Sequence, residues 1–186
     1  AYDHFNDRLY GGRLPAVLIT LQRKGRRTRG YFAPARFSRT DGTTAHELAL
    51  NPAHFKNRTV IEILSTLVHE MTHVWQECFG KPGRRGYHNR QWAEEMLRIG
   101  LRPTTTGTPD GRLIGQSVTH YIMPGGRFEV AAEELLTSDF TITWSDHVAA
   151  KLEPFDPDQL IVRARSGVRV KFVCPACRAA AWGKAS

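Results

Sequence analysis

Residues 59–80 read Thr-Val-Ile-Glu-Ile-Leu-Ser-Thr-Leu-Val-His-Glu-Met-Thr-His-Val-Trp-Gln-Glu-Cys-Phe-Gly. Apolar side chains at Val60, Ile63, Leu64, Leu67, Val68, Met71, Val74, Trp75 and Phe79 recur at helical spacing over five turns. Thr59 with Glu62 forms a capping-box signature at the start, and Gly80 with Pro82 supplies the stop. Inside this helix lies His69-Glu70-Met71-Thr72-His73, an HExxH. Side chains at i and i+4 share a helix face, so two imidazoles at that spacing can reach one tetrahedral Zn²⁺ at about 2.0–2.1 Å. Glu70, one residue on, is turned from the metal itself and is placed to serve as general base.

A catalytic zinc takes three protein ligands and keeps one position open. The HxxGxxH continuation is absent, since Phe79 stands six residues past His73. The spacing leaves two candidates for the third ligand: His88, opening a second predicted helix at about 89–99, and Glu94 or Glu95 within it.

Outward from the helix, the chain reads as α+β. Residues 2–10 predict a short helix ended by Gly11-Gly12. Residues 15–22, 31–33 and 44–50 predict three strands, most economically an antiparallel meander. The Gly- and Arg-rich loop Lys81-Pro82-Gly83-Arg84-Arg85-Gly86-Tyr87 joins the two central helices. Residues 104–126 read mostly as loop and 127–136 as a short helix. From about 138 the character changes, with strands expected at Phe140–Trp144 and Val168–Val173. Two domains are therefore expected, 1–137 and 138–186.

Composition sets bounds on these 186 residues. Hydrophobic residues make up 41%, enough for one core and against wholesale disorder. No apolar run nears the roughly 18–20 residues of a membrane span, and the N-terminus lacks a basic-then-apolar secretory pattern. Three cysteines make no disulfide framework. A reducing, cytoplasmic setting without membrane contact is the expectation. Cys78, between Trp75 and Phe79, reads as packing rather than chemistry. Lys and Arg total 26 against 18 Asp and Glu, a net charge of +8 that attracts polyanions, of which nucleic acid is the commonest inside cells. Arg23, Lys24, Arg26, Arg27 and Arg29 form a basic turn that is either a phosphate-contacting edge or a solvated loop. Lys81, Arg84, Arg85 and Arg90 flank the HExxH region.

The segment Val60–Leu101, together with the N-terminal Leu-Tyr-Gly-Gly and Ala49–Phe55 (ALNPAHF), resembles the SprT-like metallopeptidase family, which includes a protease of DNA–protein crosslinks. The likeness extends over about residues 1–137. It implies a minimal zincin-type protease domain: a three-stranded antiparallel sheet, an HExxH helix and a second ligand-bearing helix. In the family a Gly-His segment gives the third ligand. Here Tyr87 replaces that glycine, His88 matches the ligand, and Trp92 matches an aromatic four residues later. The resemblance thus decides for His88 over Glu94 and Glu95, giving one catalytic zinc on His69, His73 and His88. It further implies protein substrates on or near DNA.

Family members often end in a zinc ribbon of two CxxC pairs. Cys174 and Cys177 resemble the first pair, and the residues after them hold no second. An incomplete ribbon is expected, with a second, structural zinc only if it is completed. Peptide hydrolysis also needs a donor for the developing oxyanion, and Tyr87, Arg84, Arg85, His120 and Tyr121 are candidates. His4, His46, His54 and His147 have no partner at ligand spacing and read as ordinary histidines. Rival readings are a DNA-binding zinc protein with little proteolysis and a zinc hydrolase acting on a nucleic-acid ester.

Overall fold

The computed structural model describes residues 1–23, 25, 28–144, 146, 169–173 and 180–184. Its contacts divide into two units, Ala1–Lys151 and Leu152–Ser186. The first unit is α+β. In chain order it holds α1 (Tyr2–Tyr10), β1 (Leu18–Leu21), β2 (Gly30–Ser38), β3 (Thr44–Leu50), α2 (Val60–Phe79), α3 (Arg90–Arg98), β4 (Leu101–Thr104), β5 (Thr119–Ile122) and α4 (Arg127–Thr137). The second unit contributes β6 (Arg169–Val173) paired antiparallel with β7 (Ala180–Lys184). No described helix is long and apolar enough to cross a membrane.

The three-stranded sheet departs from the expected antiparallel meander. Its order is β1-β3-β2, with β1 parallel to β3 and β2 antiparallel to it. The connection at 22–29 carries the chain past the end of β3 to the far edge, and β3 itself holds that connection. Gln22 N–H donates to the Leu50 carbonyl at 2.9 Å, and Asn51 N–H donates to Arg29 at 2.8 Å. The Asn51 side chain also donates to the Thr28 carbonyl at 2.7 Å. β3 suits the centre because Leu48, Ala49 and Leu50 are all buried, whereas β1 lies at an edge and stays mostly exposed.

α2 is closed at its start by the predicted capping box, with both Thr59–Glu62 hydrogen bonds present. Its residues Ile63 to Thr72 are buried without interruption because β2 and β3 cover one side and α3 another. The core runs from Phe5 and Leu9 of α1 through Leu64, Val68 and Met71 of α2 to Trp92 and Met96 of α3. Phe128 of α4 completes it, its ring stacked on Phe5 at 5.6 Å.

Three further expectations are corrected. Residues 140–144 form no strand, and Trp144 there is exposed. The segment 104–126 is not all loop, since β4 pairs antiparallel with β5, setting Pro103 opposite His120. A two-stranded ribbon offers edge positions, where proline is tolerated. Cys78 lies exposed on the last turn of α2 rather than in the core.

Helix α2 and strand β2 meet closely at Gly30. A Cβ there would lie 3.0 Å from the Ala49 carbonyl oxygen, 3.1 Å from Thr66 Cγ2 and 3.2 Å from Glu70 Cγ. Gly30→Ala is therefore expected to destabilise the chain by about 1–3 kcal/mol, read as a lower midpoint in urea unfolding.

Candidate metal centre

The i, i+4 spacing on α2 puts His69 and His73 on one face, with ring centroids 5.3 Å apart. A third imidazole has to come from elsewhere, and the loop 80–89 brings it. Two side-chain bridges close that loop. Gln76 Nε2 on α2 donates to Asn89 Oδ1 at 2.7 Å, and Asn89 Nδ2 donates to the Lys81 carbonyl at 2.9 Å. Asn89 is also the N-cap of α3, its Oδ1 accepting from Trp92 N–H at 3.1 Å. His88, one residue earlier, is held extended against Gly115 by paired backbone bonds of 2.8 and 3.1 Å. Gly115 has φ +151, a conformation that favours glycine.

His69, His73 and His88 thus converge, with one ligand atom from each within 4.8 Å of the others. His73 Nε2 and His88 Nε2 are 3.2 Å apart. Tetrahedral zinc with bonds of about 2.0–2.1 Å requires an N···N edge of roughly 3.3–3.4 Å, so the donor set fits a metal ion. His69 and His88 are buried and His73 is partly open. Trp92 floors the cluster, its ring 4.9, 5.2 and 4.3 Å from those of His69, His73 and His88.

The electrostatics suit ligation. Burial and the neighbouring imidazoles hold His69 well below its usual range. Burial, with His88 beside it, takes His73 down to about 3. His88 is lowered by burial, partly offset by its bond to the Gly115 carbonyl. All three are neutral at physiological pH, the state a metal requires. Glu70 points toward β2 and accepts a hydrogen bond from the Phe32 backbone N–H; burial outweighs that bond and raises its carboxyl to about 8.

The remaining candidates are distributed as follows. Glu94 pairs with Arg90 at 2.8 Å and Glu95 with Arg98 at 2.6 Å, and neither joins the imidazole group. His120 lies against His69, its Nδ1 3.1 Å from Nδ1 of His69. Enclosure, with Arg58 and Arg29 nearby, takes His120 down to about 3. Tyr121, the next strand residue, takes the opposite face of β5, with the Arg102 guanidinium 5.8 Å from its ring centre. Arg84 and Arg85 are exposed on the loop before His88, and Arg84 covers the Tyr87 ring at 5.2 Å. Arg23 pairs with Asp146, and Arg29 is exposed. Lys24, Arg26, Arg27, Cys174, Cys177 and His147 lie outside the described residues.

Ser65, Gln76, Gly115 and Gly30 escaped the reading of the sequence. Nothing in a single chain marks a serine or glutamine inside a helix, and only alternation along Val118–Ile122 could have aimed His120.

A profile of the SprT-like family matches residues 1–110. An uncharacterized protein in the mucB 3' region of Salmonella typhimurium is 49% identical over 49 residues, 26% of this chain and 65% of that protein. The chain therefore spans somewhat less than two thirds of that relative's length. No solved structure matches the chain.

The displaced groups fix how the metal-free chain responds to pH. A carboxyl raised to about 8, as in Glu70, supports the fold fully below the ordinary carboxylate range and loses that support as pH rises through about 8. Imidazoles lowered as in His69, His73, His88 and His120 act oppositely: their support is present above about 6.5 and is lost as pH falls. Several imidazoles outweigh one carboxyl where the two windows overlap. Urea unfolding with EDTA should show maximal stability at about pH 6–7, declining on both sides. Glu70→Gln should flatten the alkaline decline and leave the acid one.

Proposed function

The chain belongs to the SprT-like family, and on that premise we propose that it is a zinc-dependent endopeptidase of zincin type. His69, His73 and His88 hold the metal, and Glu70 is the general base. The observation that carries this reading is the meeting of three neutral imidazoles from two separate elements beside a glutamate on the same helix. A purely structural site has no use for that glutamate, whereas peptide hydrolysis does.

Bound zinc supplies Lewis acidity that polarises the scissile carbonyl and makes water more acidic. The protein does the rest. His69 and His88 are fixed by their surroundings, so the site needs little rearrangement to load. Glu70 Oε takes a proton from water and returns it to the departing amine nitrogen. Burial raises the Glu70 carboxyl in the metal-free chain, and a bound cation would favour the carboxylate form that accepts the proton. Of the oxyanion candidates, His120 sets a ring nitrogen 3.1 Å from His69.

The substrates we propose are proteins on or crosslinked to DNA. The charge of +8 supports a nucleic-acid partner. So does the exposure of Lys81, Arg84, Arg85 and Arg90 on the loop and helix start that flank His88. Such contacts fall on phosphates and give position without sequence choice. Substrates of this kind place the work inside the cell.

The decisive comparison is wild type against Glu70→Gln, followed by zinc content and cleavage of an unfolded protein with and without DNA. About one zinc per chain should persist in the variant, while turnover falls at least about 100-fold. Unchanged turnover overturns the protease reading. Zinc and DNA binding without wild-type cleavage would favour a DNA-binding zinc protein instead. His88→Ala should lose most of the zinc, and retention would move the third ligand elsewhere.

A further inference from the structure

The imidazole of His69 has a second nitrogen, and the structure shows where it leads. His69 Nδ1 lies 3.1 Å from His120 Nδ1, and His120 Nε2 lies 2.9 Å from Ser65 Oγ. Ser65 stands four residues before His69 on the same face of α2. Its hydroxyl donates to the Glu62 carbonyl at 2.8 Å. A hydroxyl has a single hydrogen. Once that hydrogen is committed to Glu62, Ser65 Oγ can only accept from His120. Nε2 of His120 then carries the N–H, and its Nδ1 presents a lone pair. That lone pair accepts the N–H of His69 Nδ1, so Nε2 of His69 is left as the free donor atom a metal requires. One backbone carbonyl, three groups away, sets the direction of the whole chain.

We infer that His120 and Ser65 are positioning residues that lock His69 into the tautomer in which Nε2 faces the metal. The inference rests on the zinc reading above. Ligating histidines commonly donate their other nitrogen to a carboxylate, a backbone carbonyl or water. His88 follows that pattern, with Nδ1 3.3 Å from the Gly115 carbonyl oxygen. His69 has a neutral imidazole in that place, itself oriented by a helical serine. His120, opposite Pro103 in the β4–β5 register, is the strand residue that meets α2 at His69 and Ser65.

The test reads zinc affinity, by competition with a chromophoric chelator on the full chain, so peptide hydrolysis does not enter. His120→Phe removes both ring nitrogens at similar bulk and should weaken zinc about 10–100-fold. His120→Asn keeps an acceptor near the Nδ1 position and should recover most of that loss, although it is smaller and packs less well. Ser65→Ala, which a helix accommodates readily, should weaken zinc several-fold and carries the test should His120→Phe fail to fold. Wild-type affinity in either Ser65→Ala or a folded His120→Phe overturns the inference. Equal weakening by His120→Phe and His120→Asn overturns it too, since that is the signature of packing alone. A wild-type chain that binds no zinc would take down the three-histidine reading itself, a result distinct from wild-type affinity in the variants.

Discussion

A single helix face cannot finish a metal site. Two imidazoles one turn apart leave the third ligand to be recovered from across a loop, and the recovered group has to arrive with its nitrogen aimed inward. Here that task falls to the Gln76–Asn89 bond at 2.7 Å. It ties the last turn of α2 to the first of α3, and His88 sits between the tied ends. The same Asn89 caps α3, so the start of that helix and the placing of the ligand are one event. Trp92, a turn further on, then fills the space beneath all three imidazoles.

Around this closure the remaining elements act as supports rather than contributors. β2 approaches α2 closely at Gly30, beside Glu70, and the Phe32 N–H donates to the Glu70 carboxyl. The β4–β5 ribbon serves His69 from the other direction through His120. Each ligand-bearing element is therefore braced by a different neighbour: β5 for α2, and the strand-like bridge at Gly115 for the segment carrying His88.

What could be read from the chain follows the physics of each signal. α1, α2, α3 and α4 declare themselves through apolar periodicity and local stops, because a helix is a local structure. The strand order did not, because β1 and β3 are joined by nothing local; Asn51 holds the connection that carries the chain from β1 past β3 to β2, and an asparagine after a strand carries no such message alone. β4 and β5 were hidden by Pro103 and by threonines and glycines that read as loop. At the site, His69, Glu70 and His73 follow from spacing, while His88 needed a family likeness to separate it from Glu94 and Glu95. In the structure His88 lies with His69 and His73, while both glutamates pair with arginines. Ser65 was invisible because its task depends on a strand more than fifty residues away.

The floor of the cluster has an optical consequence. An indole whose ring lies 4.3–5.2 Å from three imidazoles senses whatever charge enters among them. Its Nε1–H has no hydrogen-bond partner among the described residues. Loading of the centre, or protonation of a ring beside it, changes the field across Trp92 directly. With Trp75, Trp144 and Trp182 replaced, the emission of Trp92 becomes a built-in gauge of the occupancy of the site, read without a label and without a substrate.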